Sequence, residues 1–171
     1  MAVLQPSFFI TVPRILSKIH GKVMEAVEKS SGMKQWMFNR AVEVKKQQFI
    51  DQGDLSHLLY DKLVFQKVKD MFGGNLQYMI TASAPISIEV LTFFKISLGI
   101  NVTEVYGQTE VLGPATATSD KETVGGHVGG VVPSLKVRTK DLPEMGYTSN
   151  DEQGCRGELQ YQGINIFKGY Y

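Results

Sequence analysis

The sequence predicts an α/β protein with a parallel βαβ core, helices packed on the sheet and a β-rich C-terminal part. Three observations lead to this prediction. Residues 1–75 carry apolar side chains at helical spacing, residues 76–112 alternate strand, helix and strand, and residues 113–171 combine glycine-rich turns with short strand-like runs. We therefore expect one α/β domain with these three parts.

The composition fits one folded domain and excludes several other classes. Of the 171 residues, 43% are hydrophobic and 20% are charged, which is too apolar for a disordered chain. The net charge of +1 argues against a dedicated nucleic-acid binder. Polar residues interrupt every apolar run before it reaches the roughly 18 residues of a membrane-spanning helix. The single cysteine, Cys155, excludes an intramolecular disulfide, fits a reduced intracellular setting and is expected to pack inside.

The first 75 residues predict three helices. The first begins near Pro13, which suits the first turn of a helix, and its apolar residues recur at helical spacing. A second helix follows Gly32, and Asp54 is expected to cap a third helix that ends at Gly73. The predicted apolar face of the first helix consists of Ile15, Leu16, Ile19, Val23, Ala26 and Val27, and that of the second consists of Met33, Trp36, Met37, Val44 and Phe49. The predicted apolar face of the third helix consists of Leu55, Leu58, Leu59, Leu63 and Val68. Phe8, Phe9 and Phe38 are further core candidates.

The middle part predicts a strand, a helix and a second strand. Leu76 to Thr81 is short and mostly apolar, Ile86 to Leu98 is helical, and Ile100 to Val105 is again strand-like. The predicted inward residues of this helix are Ile88, Leu91, Phe94 (or Phe93) and Leu98. A βαβ unit has parallel strands, and ligands of parallel sheets bind beyond the carboxyl ends of the strands. The turns that follow the two strands are therefore expected to lie side by side.

The last part predicts turns and two short strands. Leu135 to Thr139 and Glu158 to Tyr161 are strand-like, and a polar connection joins them. The glycines of Gly125–Gly130 do not have the spacing of a phosphate-binding loop. We therefore expect them to form turns that lead into Val131–Pro133 rather than to contact a phosphate.

The strongest candidate site is the run Tyr106-Gly107-Gln108-Thr109-Glu110 after the second predicted strand. Gly107 allows a close approach of the backbone, and Tyr106 offers a flat face for a heterocyclic ring. The Thr109 hydroxyl can donate to a phosphate oxygen, and the Glu110 carboxylate suits Mg2+, which prefers oxygen ligands. These residue types suit a nucleotide with its metal ion. An ordinary strand-end turn with polar surface groups is the alternative.

Three stretches of the sequence resemble the adenylate-forming enzymes. They are MITASAP (residues 79–85), EVYGQTE (residues 104–110) and GELQYQGINIFKGYY (residues 157–171). Within that superfamily, VPRIL (residues 12–16) and LPEMGY (residues 142–147) resemble the eukaryotic long-chain fatty acyl-CoA synthetases. The resemblance covers essentially the whole chain. It implies that the chain is part of the large N-terminal domain of such an enzyme.

This resemblance implies a two-step ligase reaction. ATP and a fatty acid form an acyl-adenylate and pyrophosphate, and the thiol of CoA then displaces AMP. The implied cofactors are ATP, Mg2+ and CoA as co-substrate. Because pyrophosphate is the leaving group, the chemistry depends on positioning and charge neutralisation. Peripheral membrane association is common in this family, and we expect a location in the cytoplasm or on the cytoplasmic face of an organelle membrane.

The same resemblance implies roles for individual residues. Ser83-Ala84-Pro85 would line one face of the adenine, and Tyr106 would cover the other face. Thr109 would contact the α-phosphate and Glu110 would bind Mg2+, so these two are the implied catalytic residues. The remaining residues of the implied ATP site are Glu104, Val105, Gly107 and Gln108.

Two residues depart from the family pattern. Ala82 and Val105 stand where the family usually has glycine, so either their side chains point away or the adenine slot is narrower. The family's phosphate loop lies upstream of the matching region, and its ribose-binding aspartate and small C-terminal domain lie downstream. We therefore expect a central segment of a larger enzyme that does not catalyse adenylation alone. A catalytically silent nucleotide- or acyl-binding module and a non-functional truncated product are the alternatives.

Overall fold

The computed structural model describes residues 3–120, 122–152 and 154–171. Within those residues it contains five α-helices, seven β-strands and two short 3-10 helices. In chain order the elements are β1 (Phe8–Thr11), α1 (Pro13–Glu28), α2 (Gly32–Gln52), α3 (Leu58–Leu63), α4 (Gln66–Met71), β2 (Tyr78–Ala82), α5 (Ile88–Leu98), β3 (Asn101–Gln108), a 3-10 turn (Thr109–Val111), β4 (Gly113–Ala117), β5 (Gly130–Val131), β6 (Leu135–Lys140), a second 3-10 turn (Pro143–Met145) and β7 (Glu158–Gly163).

The strands form two sheets. The larger sheet has the order β1-β2-β3-β4-β5, in which the first three strands are parallel and β4 and β5 are antiparallel to their neighbours. The strands β6 and β7 form a separate antiparallel pair. The predicted α/β class with a parallel βαβ core is therefore confirmed. The division into parts at residues 75 and 112 stays a prediction. No helix among the described residues is long and apolar enough to cross a bilayer.

The βαβ unit places the carboxyl ends of β2 and β3 side by side, as predicted. The last paired residues of the two parallel strands are Ala82 and Val105. Helix α5 begins after Ser87, whose hydroxyl accepts a hydrogen bond from the backbone N–H of Val90 at 3.3 Å. It ends at Gly99, whose φ of +68° suits a left-handed helix stop. The predicted juxtaposition of the two strand-end turns follows from this pairing.

Strand β3 continues beyond its predicted end at Val105. Its last residue, Gln108, lies opposite Gly113 of β4. Because the antiparallel partner supplies backbone hydrogen bonds, Tyr106 to Gln108 belong to the strand, and the turn begins only at Thr109. The sequence predicts neither β4, whose glycine and proline are uncommon in strands, nor the two-residue strand β5.

Strand β1 was also not predicted. It pairs in parallel with β2, with Phe8 opposite Tyr78 and Thr11 opposite Thr81. Phe9 packs against the core as expected, whereas Phe8 is 47% exposed. Since successive side chains of a strand point to opposite faces, only one of two adjacent phenylalanines can face the helices.

The helices pack against the sheet around an aromatic core. Its buried residues include Leu16, Phe38, Phe65, Val68, Phe72, Met79, Leu91, Phe93, Phe94 and Val102. In α5, Leu91, Phe94 and Leu98 are buried as predicted. The prediction for Ile88 is wrong: it lies on the first turn of the helix, with its side chain toward the loop at Gly125 and Gly126, and it is 52% exposed.

The predicted third helix is wrong in its extent, its cap and three residues of its apolar face, whereas Val68 is buried as predicted. The chain forms two short helices, α3 and α4, and the N-cap of α3 is His57 instead of Asp54. The side chains of Leu58, Leu59 and Leu63 are 92%, 56% and 62% exposed. A different face of α3 therefore packs against the rest of the protein.

The buried ion pair of Asp61 explains this orientation. Its carboxylate pairs with Lys45, whose side chain is 1% exposed, and lies 3.6 Å from the ammonium group of Lys69. A buried ammonium group requires an opposite charge, so α3 turns Asp61 toward α2. Leu59 lies two positions before Asp61 and Leu63 lies two positions after it, so both leucines are on the opposite side of the helix from Asp61.

Several other predicted core residues are exposed. Helix α2 buries one face that includes Phe38, and Trp36, two positions earlier, points away from it and is 69% exposed. Cys155 is exposed instead of packed, because it lies in the polar connection between β6 and β7. Three further residues of the predicted apolar faces, Ile15, Ala26 and Met33, are exposed as well.

Candidate functional site

A cleft of about 370 Å³ lies at the carboxyl edge of β2 and β3. Three chain segments line it: the turn after β2, the end of β3 and the glycine-rich loop before β5. The lining residues are Ser83, Ala84, Pro85, Ile86, Glu104, Val105, Tyr106, Gly107, Gly126, His127 and Val128. This volume is typical of a small-molecule site, which spans about 300–1,000 Å³.

The turn after β2 has an unusual backbone. Ser83 has a φ of +76°, a left-handed conformation that non-glycine residues adopt at a cost of about 1–3 kcal/mol. The turn connects directly to α5 through Pro85 and Ile86, both in the cleft wall. Such strain is found at sites where the surrounding structure fixes the backbone, so this wall is expected to hold its shape.

At the end of β3, Tyr106 and Gly107 reach the cleft from the hairpin with β4. A side chain on Gly107 would place its Cβ 2.2 Å from the carbonyl oxygen of Gly113, so the close β4 backbone requires glycine here. Tyr106 is half-buried and packs against Val111, Ala115, Leu135 and Tyr161. Burial, with the neighbouring Tyr106 hydroxyl, raises the pKa of Tyr161. Tyr106 thus joins the cleft to the small second sheet.

Glu104 is the acidic group of the cleft, and it is only 5% exposed. Burial raises the pKa of its carboxyl, although the backbone N–H of Ile86 and the nearby charges of His127 and Lys95 oppose that rise. Lys95 is itself buried, and its ammonium group donates to the carbonyl oxygen of Glu122 at 2.9 Å. Burial lowers the pKa of Lys95. The cleft therefore contains a buried carboxyl group whose pKa is raised by its burial.

The glycine-rich loop forms the third wall, and the sequence analysis did not assign it to the site. The Gly129 N–H donates to Nδ1 of His127 at 3.0 Å, and Nε2 of His127 lies 3.4 Å from the Glu122 carboxylate. Gly129 has a φ of +79°, and a Cβ there would lie 1.9 Å from the carbonyl oxygen of Ala117. Gly126 and Gly129 have the positive φ of turn glycines, whereas Gly130 already belongs to strand β5 instead of the predicted turn. The clustering of glycines was the signal that the backbone passes close to other atoms.

The predicted site residues divide into two groups. Ser83, Ala84, Pro85, Glu104, Val105, Tyr106 and Gly107 line the cleft together. Gln108, Thr109 and Glu110 follow in the chain but are not among its lining residues. Of the two departures from the family pattern, Val105 is among the residues that line the cleft, whereas Ala82, its partner in register on β2, is not.

Glu110 lies at the start of the hairpin turn and contacts the end of the chain. Its carboxylate accepts a hydrogen bond of 2.6 Å from the Tyr170 hydroxyl, which holds the pKa of Glu110 below its usual range. Its backbone carbonyl accepts a hydrogen bond from Phe167 at 3.0 Å. No group of three or more His, Cys, Asp or Glu side chains that could enclose a metal is found among the residues that the structure describes. A hydroxyl and one carboxylate fit Mg2+ that is held mainly by substrate phosphates.

The α/β fold places a cleft of small-molecule size at the carboxyl edge of its parallel strands, and comparison with known families gives the class of protein. The model of the AMP-binding enzyme family matches residues 1–171, so the chain belongs to that family. The resemblance on the three sequence stretches is therefore confirmed.

Two relatives are named as a long-chain acyl-CoA synthetase and a long-chain-fatty-acid–CoA ligase. The chain is 39% identical to the peroxisomal long chain acyl-CoA synthetase 6 of Arabidopsis thaliana over 171 residues, which cover 100% of this chain and 24% of the relative. It is 39% identical to long-chain-fatty-acid–CoA ligase 5 of Mus musculus over 171 residues, with 99% and 24% covered. The chain thus spans about a quarter of the length of the curated relatives that it matches.

A solved structure supports the fold. The A domain of a carboxylic acid reductase from Segniliparus rugosus, in complex with AMP and a co-purified carboxylic acid, matches with a TM-score of 0.66 and 23% identity. The match covers 99% of this chain and 22% of that chain. The chain therefore has the fold of part of an adenylation domain.

Proposed function

We propose that this chain forms the adenine side of the ATP site in an AMP-forming long-chain fatty acid–CoA ligase. The ligase joins a fatty acid to CoA through an acyl-adenylate, with ATP consumed and pyrophosphate released. The observation that carries the proposal is the cleft at the carboxyl edge of β2 and β3, in a chain of the AMP-binding family. The names of its relatives support the long-chain fatty acid as substrate.

The cleft can hold an adenine ring between two walls. The turn Ser83-Ala84-Pro85 supplies backbone and small side chains on one side, and Tyr106 supplies an aromatic face on the other. Glu104 lies between these walls, where a carboxylate can accept a hydrogen bond from an exocyclic amino group. Val105, Gly107 and Gln108 complete this part of the nucleotide site in our proposal.

The hairpin turn beyond the cleft supplies the polar groups for the phosphates. The Thr109 hydroxyl can donate to the α-phosphate, and the Glu110 carboxylate can bind Mg2+. When bound, Mg2+ neutralises the charge that develops on the pyrophosphate leaving group. The order of the segments supports this arrangement, because Thr109 and Glu110 directly follow the cleft residues Tyr106 and Gly107.

The proposal is tested by measuring pyrophosphate release from the protein that carries this chain, with ATP, Mg2+, a long-chain fatty acid and CoA. The Glu110→Gln variant keeps the size of the side chain and removes the charge. We expect it to lose at least about a hundredfold in rate, since electrostatic groups of this kind contribute about 10²–10³. The control is Glu144→Gln, because Glu144 is exposed and also lies in a 3-10 turn.

The possible results separate the role of Glu110, a silent binding module and the nucleotide site itself. Equal rates for Glu110→Gln and Glu144→Gln would contradict the assigned role of Glu110. If the wild-type protein releases no pyrophosphate, an acyl-adenylate analogue is added in a thermal unfolding experiment. A raised melting temperature then supports a silent binding module in place of a ligase, and an unchanged one contradicts the nucleotide site itself.

A further inference from the structure

The last residues of the chain fold back over the turn that carries Glu110. We call residues 164–171 the closing segment. The side-chain amide of Asn165 donates to the carbonyl oxygen of Val111 at 2.8 Å, and the backbone N–H of Phe167 donates to the carbonyl oxygen of Glu110 at 3.0 Å. Two hydrogen bonds thus attach the closing segment to consecutive residues of the turn.

A third hydrogen bond of the closing segment reaches the carboxylate itself. The Tyr170 hydroxyl donates to Oε1 of Glu110 at 2.6 Å, a length typical of a hydroxyl that donates to a charged carboxylate. The Tyr170 ring also packs edge-on against Phe167, with 4.8 Å between the ring centroids. Tyr170 is nevertheless 72% exposed, so burial is not what places its hydroxyl.

We propose that Tyr170 is a positioning residue, whose hydroxyl holds the Glu110 carboxylate in the orientation that binds a divalent cation. This inference rests on the proposed function of Glu110. An ionised carboxylate has about four acceptor positions, so one phenol donor leaves the others for a cation. Glutamate has several freely rotating bonds, and a partner that fixes one orientation reduces the entropy lost on cation binding.

Other metal sites indicate how much cation affinity the loss of the Tyr170 hydroxyl should cost. Hydrogen-bond partners of metal-binding carboxylates orient the ligand, and removing such a partner typically costs about 10–100-fold in metal affinity. The Tyr170→Phe variant removes only the hydroxyl, and the ring can still pack on Phe167. The bonds from Asn165 and Phe167 remain, so the variant should keep the closing segment in place.

The experiment measures Mn2+ in place of Mg2+, because Mn2+ is paramagnetic. Mn2+ is titrated with ATP present, and its binding is followed by the broadening of the amide NMR signals of Thr109 and Glu110. For Tyr170→Phe we expect an Mn2+ dissociation constant that is about 10–100-fold higher than that of the wild type. The matched control is Tyr171→Phe, which removes a hydroxyl from the adjacent exposed tyrosine and should leave the constant unchanged.

Two further measurements separate positioning from a general structural role. The melting temperatures of both variants should equal that of the wild type. In pyrophosphate release, Tyr170→Phe should raise the Mg2+ concentration for half-maximal rate by about 10–100-fold and leave the rate at saturating Mg2+ nearly unchanged.

The results that overturn the inference differ from those that overturn the proposed function. If Tyr170→Phe and the wild type bind Mn2+ equally well at Glu110, Tyr170 has no positioning role, and the cation site stands. A lower melting temperature with a reduced saturating rate would show a structural role instead. If Mn2+ does not broaden Glu110 in the wild type, the assignment of Glu110 as the metal ligand is wrong, and the inference falls with it.

Discussion

The two sides of the cleft belong to regions that are held together very differently. On one side, β1, β2, β3 and the five helices share one large core with several aromatic rings, among them Phe72, Phe93 and Phe94 in edge-on contacts. On the other side, β4 to β7 surround a small cluster in which the described buried residues are Val111, Ala115 and Leu135. The first region is stabilised by side-chain packing, and the second depends more on backbone pairing.

This difference explains how the cleft is built. The wall from Ser83 to Ile86 joins the large core through the buried side chain of Ile86, which helps to keep a strained residue such as Ser83 in place, whereas Tyr106 packs against the small cluster. The wall from Gly126 to Val128 is a loop, placed by glycine conformations and a few hydrogen bonds. The two walls of the cleft are therefore stabilised by different kinds of contact.

The largest expected effect is a loss of stability in the first region when the ion pair between Asp61 and Lys45 is broken. Asp61→Asn leaves the ammonium group of Lys45 buried without a carboxylate, and breaking such a pair typically costs about 3–5 kcal/mol. Urea unfolding measures the loss. The control is Asp70→Asn, since Asp70 is exposed and a surface substitution should change stability by less than about 0.5 kcal/mol. Equal effects would mean that the pair does not hold α3 on α2.

The ion pair between Asp61 and Lys45 also makes the stability of the first region depend on pH. Burial by itself raises the pKa of Asp61, but the hydrogen bonds from Lys45 and the His57 backbone, with the charges of Lys45 and Lys69, hold it below the usual value. An unfolded aspartate titrates near about pH 3.9. The ionised Asp61 carboxylate therefore makes its full contribution to the free energy of unfolding above that pH. This contribution is lost as the pH falls through the lower pKa of the folded state. Asp61→Asn should remove this part of the acid sensitivity.

An intermediate effect is expected in the second region. Gly129→Ala would bring a Cβ to 1.9 Å from the carbonyl oxygen of Ala117 at a φ of +79°, which requires a shift of the loop and costs at least about 1–3 kcal/mol locally. Amide hydrogen exchange should rise in β5 and at Val132 and stay unchanged in β2 and β3. Gly130→Ala is the control, because nothing lies within 4 Å of its Cβ position. A rise in β2 as well would show that the two walls unfold together.

The smallest expected effect concerns the exposed leucines of α3. Leu58 is 92% exposed, so Leu58→Ala should change the free energy of unfolding by less than about 0.5 kcal/mol. The same substitution at the fully buried Leu16 should cost about 2–5 kcal/mol. Urea unfolding of the two variants compares them directly. A large loss at Leu58 would mean that the predicted apolar face of the third helix is correct after all.

The sequence predicted those parts of the fold whose signal lies within one element. The first helix begins at Pro13, α5 ends at Gly99, and the strands of the βαβ unit lie where their apolar runs placed them. It failed for β1 and β4, which are short and become strands through their neighbours. It also failed for Leu58 and Trp36, because apolar residues on a helix do not show which face will be buried.

The candidate site was predicted to a similar extent. Because the carboxyl ends of parallel strands lie at one edge of a sheet, the sequence predicted that Ser83 and Tyr106 lie close together. The structure places both residues in one cleft. The loop around His127 was missed because it is distant in sequence and carries no phosphate-loop spacing. The contact between Glu110 and Tyr170 was missed for the same reason, since 60 positions separate the two residues.

The sequence by itself determined the α/β class, the family resemblance and the two strand-end segments of the cleft. The class and the strand-end segments depend on periodicity and on turn residues such as Gly99, which act over one or two turns of chain, and the family resemblance depends on short motifs such as EVYGQTE (residues 104–110). Only the tertiary structure decided which helix faces are buried, that the glycine-rich loop forms a wall, and that Tyr170 reaches Glu110. The physical reason is that these depend on contacts between distant segments, where burying one charge, as in Lys45 with Asp61, can outweigh a local apolar pattern.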